Sequence, residues 1–253
     1  MNFLLEAIKI SFKKNFAYPL NFIFVILDEL IDFFGVVILW YSYMDQSMDL
    51  QDWNALALTN FMGFTLISSS ISNLFVGTAY LPDLISEGSL DLYLIRPYGT
   101  FALINLERCN FLRFVLTFPL GLALAAKGVH SLESFAFYLL ALFTCITASF
   151  VLEFMGIMLY VFSFWLKNSS MLSFFFRMLT SIRKYPLHYI TNKVIKILLT
   201  LVPVLFTATI PTRIQSFHSG IQLVVILIGM TLVTRYALKH LWLKGLQSYE
   251  SAN

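Results

Sequence analysis

Long apolar stretches alternate with short polar islands along this 253-residue chain. A bilayer core of roughly 30 Å asks for about 20 apolar residues per helix. Six segments meet that length: Leu20 to Tyr43, Leu56 to Tyr80, Ala102 to Ala126, Phe135 to Leu166, Ile190 to Ile210 and Gly220 to Leu241. The fourth is long enough to tilt or to project beyond the membrane. Ahead of the first span, Phe3, Leu4, Ala7, Ile8, Ser11, Phe12 and Phe16 recur at helical spacing opposite Glu6, Lys9, Lys13 and Lys14. That pattern predicts a helix over residues 1–18 lying in the headgroup plane, with Pro19 turning the chain into span one. The same charges interrupt any signal-peptide apolar region. Residues 168–186 combine Arg177, Arg183 and Lys184 with an apolar face and predict a second interfacial segment.

Composition agrees with this pattern. A content of 58% hydrophobic and 12% charged residues leaves too little polar surface for a soluble globule. The expected fold class is all-α, a polytopic membrane protein forming one transmembrane domain over 1–253. Placing the N-terminus inside puts fifteen of the 17 Lys and Arg residues on the cytoplasmic side, leaving Lys127 and Arg213 outside near the acidic Asp45, Asp49 and Asp52. The positive-inside bias therefore sets both termini in the cytoplasm. Net charge of +3 follows from topology and makes no case for a nucleic-acid partner.

Self-contained chemistry is scarce. The chain has no GxxxxGK[ST] phosphate loop, GxGxxG, HExxH or GxSxG, and His130, His188, His218 and His240 are scattered over different segments. Cys109 and Cys145 lie inside expected spans and read as small packing residues. No cofactor or metal site is expected in the chain, and a hydrolytic or metal enzyme is disfavoured.

Carboxylates inside the membrane are a stronger signal. Asp28, Glu29 and Asp32 sit in span one, with Asp28 and Asp32 on one face, and Glu153 sits alone in span four. Such groups must face protein or water, so Asp28, Asp32 and Glu153 are candidates for a translocation path. The competing reading pairs them with Arg113, Arg235, Lys193 or Lys196. Ser68, Ser69, Ser70, Ser72 and Asn73 of span two suit either a hydrated path or close helix packing.

The island between spans two and three, residues 81–98, is a compact unit. Pro82 suits a first helical turn, Asp83 and Glu87 place negative charge toward its N-terminal end, and Gly88 can break it. Ser89 then suits the N-cap of a second short helix with Leu90 and Leu94 on one face, and Pro97 closes the element.

At these residues the chain resembles a known family. Ile85-Ser86-Glu87-Gly88-Ser89-Leu90-Asp91-Leu92-Tyr93-Leu94-Ile95-Arg96-Pro97 is similar to the intracellular signature of ABC type-2 exporter permeases, in the viologen-exporter-like branch. Tyr185-Pro186 before span five and the tail Gly245-Leu246-Gln247-Ser248-Tyr249-Glu250-Ser251-Ala252 resemble further motifs of that branch, with Asn253 where its pattern ends in glycine. The resemblance implies a permease of the bacterial cytoplasmic (inner) membrane with a coupling helix between spans two and three. It also implies a second permease chain, identical or paralogous, and separate ABC ATPase subunits that bind ATP and Mg. The coupling contact would comprise Leu84, Ile85, Glu87, Gly88, Leu90, Asp91, Leu94 and Arg96. A self-sufficient carrier driven by protons through the intramembrane carboxylates is the alternative, although the chain shows no two-half internal repeat.

Overall fold

The computed structural model describes residues 19–45, 53–97, 99–166, 170–185, 202–214 and 217–249. The expected interfacial helix over 1–18 and most of the expected fifth span lie outside these residues. Helices account for the regular structure, and no strand occurs among the described residues.

Helix α1 spans Pro19–Asp45, α2 spans Ala55–Phe75, and a 3-10 turn at Val76–Tyr80 leads from α2 into α3, Leu81–Ser86. Short α4 covers Asp91–Leu94, followed by α5 at Thr100–Arg108, α6 at Phe111–Ala125 and α7 at Leu132–Val161. Amphipathic α8 is Ser170–Ser181, the single turn α9 is Thr209–Thr212, and α10 is Phe217–Gln247.

Three of these stretches, Ala55–Ser86, Leu132–Phe164 and Phe217–Gln247, are long and apolar enough to cross a membrane, and α5 with α6 makes a fourth if the bent pair is one span. Helix α1 is 27 residues long, but Asp28, Glu29 and Asp32 fall within its apolar run. Start signals are local. Asn54 Oδ1 accepts the Ala57 N–H at 2.7 Å to open α2, and Ser131 with Ser134 forms a reciprocal capping box at α7.

Two sequence expectations need correction. The third span is not one rod, because α5 and α6 meet at 82°. Cys109 is extended there, the Asn110 side chain caps α6, and the Asn110 N–H donates to Asn73 O at 3.0 Å, so the backbone polarity released by the break is satisfied by protein. Residues 202–210, expected to be the helical end of span five, form a 3-10 turn at Leu205–Thr207 and a break at Ala208 before α9.

Small residues decide how closely the rods pack. A Cβ added at Gly63 of α2 would lie 2.3 Å from Ala125 N, and one at Gly121 of α6 would lie 2.9 Å from Gly63 O. These helices therefore meet backbone to backbone, the geometry that small residues permit where lipid supplies no hydrophobic drive for association. Beyond them, α10 lies along α7, with Gly220 against Leu140 and buried Leu227 and Leu238 turned inward. One end of the bundle holds Trp53, whose ring carries Arg213 at 4.8 Å. The other end holds the 81–97 knob.

The substitution Gly63→Val should lower stability by about 1–3 kcal/mol through overpacking. Gly35→Ala, where a Cβ meets nothing within 4 Å, should be neutral or slightly stabilising. Thermal melting of the detergent-solubilised chain checks both, and equal melting of the Gly63 variant and wild type would refute the close-packing account.

Candidate functional site

The knob is a bent hairpin of two short helices whose inner face is core. Pro82 occupies the first turn of α3 and Asp83 supplies its negative charge, as expected from the sequence. Gly88 takes φ of 71°, a left-handed conformation that glycine adopts without penalty. The Leu90 N–H then reaches back to Leu84 O at 3.1 Å and closes the turn. Two local assignments change. Glu87 sits at the C-cap of α3 instead of its start, and Ser89 Oγ bonds back to Leu84 O while Leu90 occupies the N-cap position of α4.

Burial separates the knob residues into anchors and tip. Leu81, Leu84, Leu90 and Tyr93 enter a large apolar cluster with Leu103, Ile104, Leu152 and Val161, and Ile85 and Leu94 pack against it. Leu92 and Ile95 are 60% and 80% exposed, and Asp83, Glu87 and Arg96 are exposed as well. Gly88 and Asp91 are half-buried. The Arg96 guanidinium lies 5.7 Å from the Tyr93 ring centroid. Of the residues that the resemblance places in a partner contact, Leu84 and Leu90 face inward. The outward pair was legible only once the bend at Gly88 fixed which face is which.

The distant tail belongs to the same unit. Gly245 lies against Phe164 so closely that an added Cβ would come within 2.3 Å of its ring, and the Phe164 ring stacks edge-on with Tyr249 at 5.8 Å. Tyr249 packs against the cluster that holds Leu81, Leu84, Leu90 and Tyr93, which puts the tail beside the knob.

Beneath the knob lies a polar cavity of about 440 Å³, reached by Ser69, Ser72 and Asn73 of α2, Arg113 of α6, Glu153 and Tyr160 of α7, and Arg177 of α8. Asp83 at the root of the knob and Glu29 of α1 also line it, with Arg183 and Lys184 from the 3-10 turn that ends α8. Glu153 is buried, and the Ser72 hydroxyl donates to its Oε1 at 2.5 Å. In turn Arg183 Nη1 donates to Ser72 Oγ at 2.8 Å and approaches Ser68 Oγ at 3.4 Å. Ser149 on α7 reaches Ser68 at 3.0 Å, so a chain of polar contacts ties α2, α7 and the end of α8. Ser173 of α8 adds a bond to Ala79 O at 2.9 Å.

Of the carboxylates singled out from sequence, Glu153 and Glu29 line the cavity. Asp28 does not, but it forms an ion pair with Arg113, which does. The Asp32 side chain lies outside the described residues. The serines of span two divide by face: Ser70 is buried and bonds Ile67 O, whereas Ser69 and Ser72 open on the cavity. The stretch thus turns one face to packing and another to the cavity. Arg183 was missed as the cation of this network because 111 residues separate it from Ser72, to which it donates, and no spacing rule connects them. Among the described residues no group of three or more His, Cys, Asp or Glu gathers as metal ligands.

Two measurements follow. In a double-mutant cycle, Arg183→Gln and Glu153→Gln should show a coupling of about 0.5–3 kcal/mol, largely lost in a Ser72→Ala background. Strict additivity in thermal melts would dissolve the network. Separately, burial, reinforced by the Glu107 carboxylate that accepts the hydroxyl at 2.5 Å, raises the Tyr93 phenol above its ordinary value of 10.0, with Arg108 opposing. Because the folded value is the higher one, this stabilisation is complete below the unfolded phenol's pKa and is lost as pH climbs through the folded value. Melting temperature should fall above that ordinary value more steeply in wild type than in Tyr93→Phe, and parallel profiles would remove Tyr93 from the account.

No curated protein and no solved structure gives a significant match. A family model described as "ABC-2 family transporter protein" matches residues 29–253, which takes in every element from the acidic stretch of α1 to the tail. That family supplies the membrane-spanning permease component of ABC transporters and works with an ABC ATPase subunit. With the match covering residues 29–253, this chain is a member of the ABC-2 transporter membrane family.

Proposed function

We propose that the chain is the permease subunit of an ATP-driven exporter in the bacterial inner membrane, with both termini cytoplasmic. In this reading the full fold has six spans and an N-terminal interfacial helix, and a second permease, identical or paralogous, completes the path. ATP and Mg are held by separate ATPase subunits. Residues 81–97 form the coupling helix, whose outer tip of Leu92 and Ile95, together with the exposed Glu87 and Arg96, seats in a groove of the ATPase.

The observation that carries this reading is the division of the knob into a buried root and an exposed apolar tip. A tip of two large aliphatic side chains among charges is the composition of a contact surface, in which an apolar centre gives affinity and the charged rim gives register. A buried root makes the tip a lever rather than a loose loop. Asp83 on α3 lines the cavity and the tip is carried by α4, so a push on the tip reaches the cavity wall through two short helices joined at the Gly88 turn. Nucleotide-driven motion reshapes the path only if the tip contact differs between two states, and a knob rooted in the core transmits such a difference without local yielding.

Leu92→Asp with Ile95→Asp should leave the melting temperature of the chain nearly unchanged and reduce co-purification of its ABC ATPase, and stimulation of ATP hydrolysis, by tenfold or more. Leu84→Ala should instead cost about 2–5 kcal/mol of stability, as expected for a truncated core leucine. Retained co-purification and stimulation in the tip variant would overturn the coupling assignment.

A further inference from the structure

A second hollow, distinct from the polar cavity, lies on the flank of the bundle between the start of α5 and the last turns of α10. It has a volume of about 700 Å³ and is walled by Phe101, Tyr236 and Trp242, with Arg235 and Lys239 among its lining residues and no Asp or Glu. We propose that this groove is a binding site for one anionic phospholipid, its phosphate between Arg235 and Lys239 and its acyl chains along the aromatic wall.

Charge and depth support that occupant. Arg235 and Lys239 are one helical turn apart on α10, both exposed, and neither has an acidic partner within salt-bridge distance among the described residues. A run of about 20 residues crosses the hydrocarbon core, so a span starting at Gly220, where the apolar run begins, leaves it near Lys239. Arg235 and Lys239 therefore lie in its last turn and at its end, from which long cationic side chains snorkel to the headgroups and where basic clefts between helices take anionic headgroups.

Helix α5 adds donors. Its N-cap, Gly99, provides no side-chain cap and its first turn has no acid, while Gly99 and the first two residues of the helix line the groove. Backbone N–H groups at a helix start favour an anion, and here they act together with two fixed cations. The wall suits acyl chains: the Phe101 and Trp242 rings stand 4.6 Å apart, and Leu232 and Tyr236 are 65% and 67% exposed on the lipid-facing side of α10. A soluble anion would use the cations and leave that aromatic surface bare. The assignment requires only that α10 spans a bilayer, so it stands or falls independently of ATPase coupling.

Native mass spectrometry of the detergent-purified full-length chain, with phosphatidylglycerol or phosphatidylcholine added, tests the site. Wild type should retain phosphatidylglycerol in preference to phosphatidylcholine. Each neutralised cation should weaken retention about fivefold, so Arg235→Gln with Lys239→Gln loses about 25-fold. Glycerol phosphate at equal concentration should not displace the lipid. Should the double variant misfold by circular dichroism, Lys239→Gln alone at its exposed position gives the fivefold readout. Equal retention of both lipids by wild type, unchanged retention in the variants, displacement by glycerol phosphate, or occupation of the groove by a second copy of the chain would each overturn the proposal.

Discussion

Hydrocarbon offers no hydrogen bonds, so a polar group carried to membrane depth must be satisfied by the protein itself. In this chain that constraint concentrates polarity in one place. Glu153 takes its bond from Ser72, Ser72 takes one from Arg183, and Asp28 is answered by Arg113. Since Arg183 comes from outside the long rods, satisfying Glu153 fixes the end of α8 against α2 and α7. The cavity then exists because its walls are held by the charges they bury.

The same logic explains the break between α5 and α6. Bending a helix frees backbone groups, and here the Asn110 side chain and Asn73 O take them up. The bend lays α5 across the end of the bundle, where its start helps to form the flank groove and Ile104 and Leu103 join the cluster that seats the knob. A close approach of Gly77 to Ile104 O and Asn105 Cα, where a Cβ would lie 2.4 and 2.7 Å away, locks the root of the knob onto this crosspiece. Asn105 Oδ1 also accepts the Thr78 N–H at 3.0 Å. Knob, crosspiece and tail thus form one packed unit built from segments more than 150 residues apart in the chain.

Much of this was readable from the residues. Hydrophobic run length identified α2, α7 and α10, since the thickness of a bilayer sets a length that needs no tertiary context. The local chemistry of Pro82, Asp83 and Gly88 announced a bent knob, because proline at a helix start and glycine at a left-handed turn act within a few residues. Glu87 and Ser89 were assigned by the same local rules, but the turn closed differently: Glu87 falls at the end of α3 and the N-cap of α4 moves one position on, to Leu90. The bend at Cys109 escaped because hydropathy sums over a window and passes smoothly across a break whose backbone groups are taken up by Asn110 and Asn73.

What the sequence alone determined is the solvent: long apolar rods, their approximate limits, and a polar island whose composition marks it as a hinge-bearing knob. Tertiary structure decided which side of that knob looks outward, which carboxylates meet the cavity, and that Arg183 rather than a nearer cation completes the polar network. These choices depend on rotation of each rod about its axis and on the crossing of segments far apart in the chain. Both are set by packing, such as the Gly63 and Gly121 contact, which no single stretch of sequence contains.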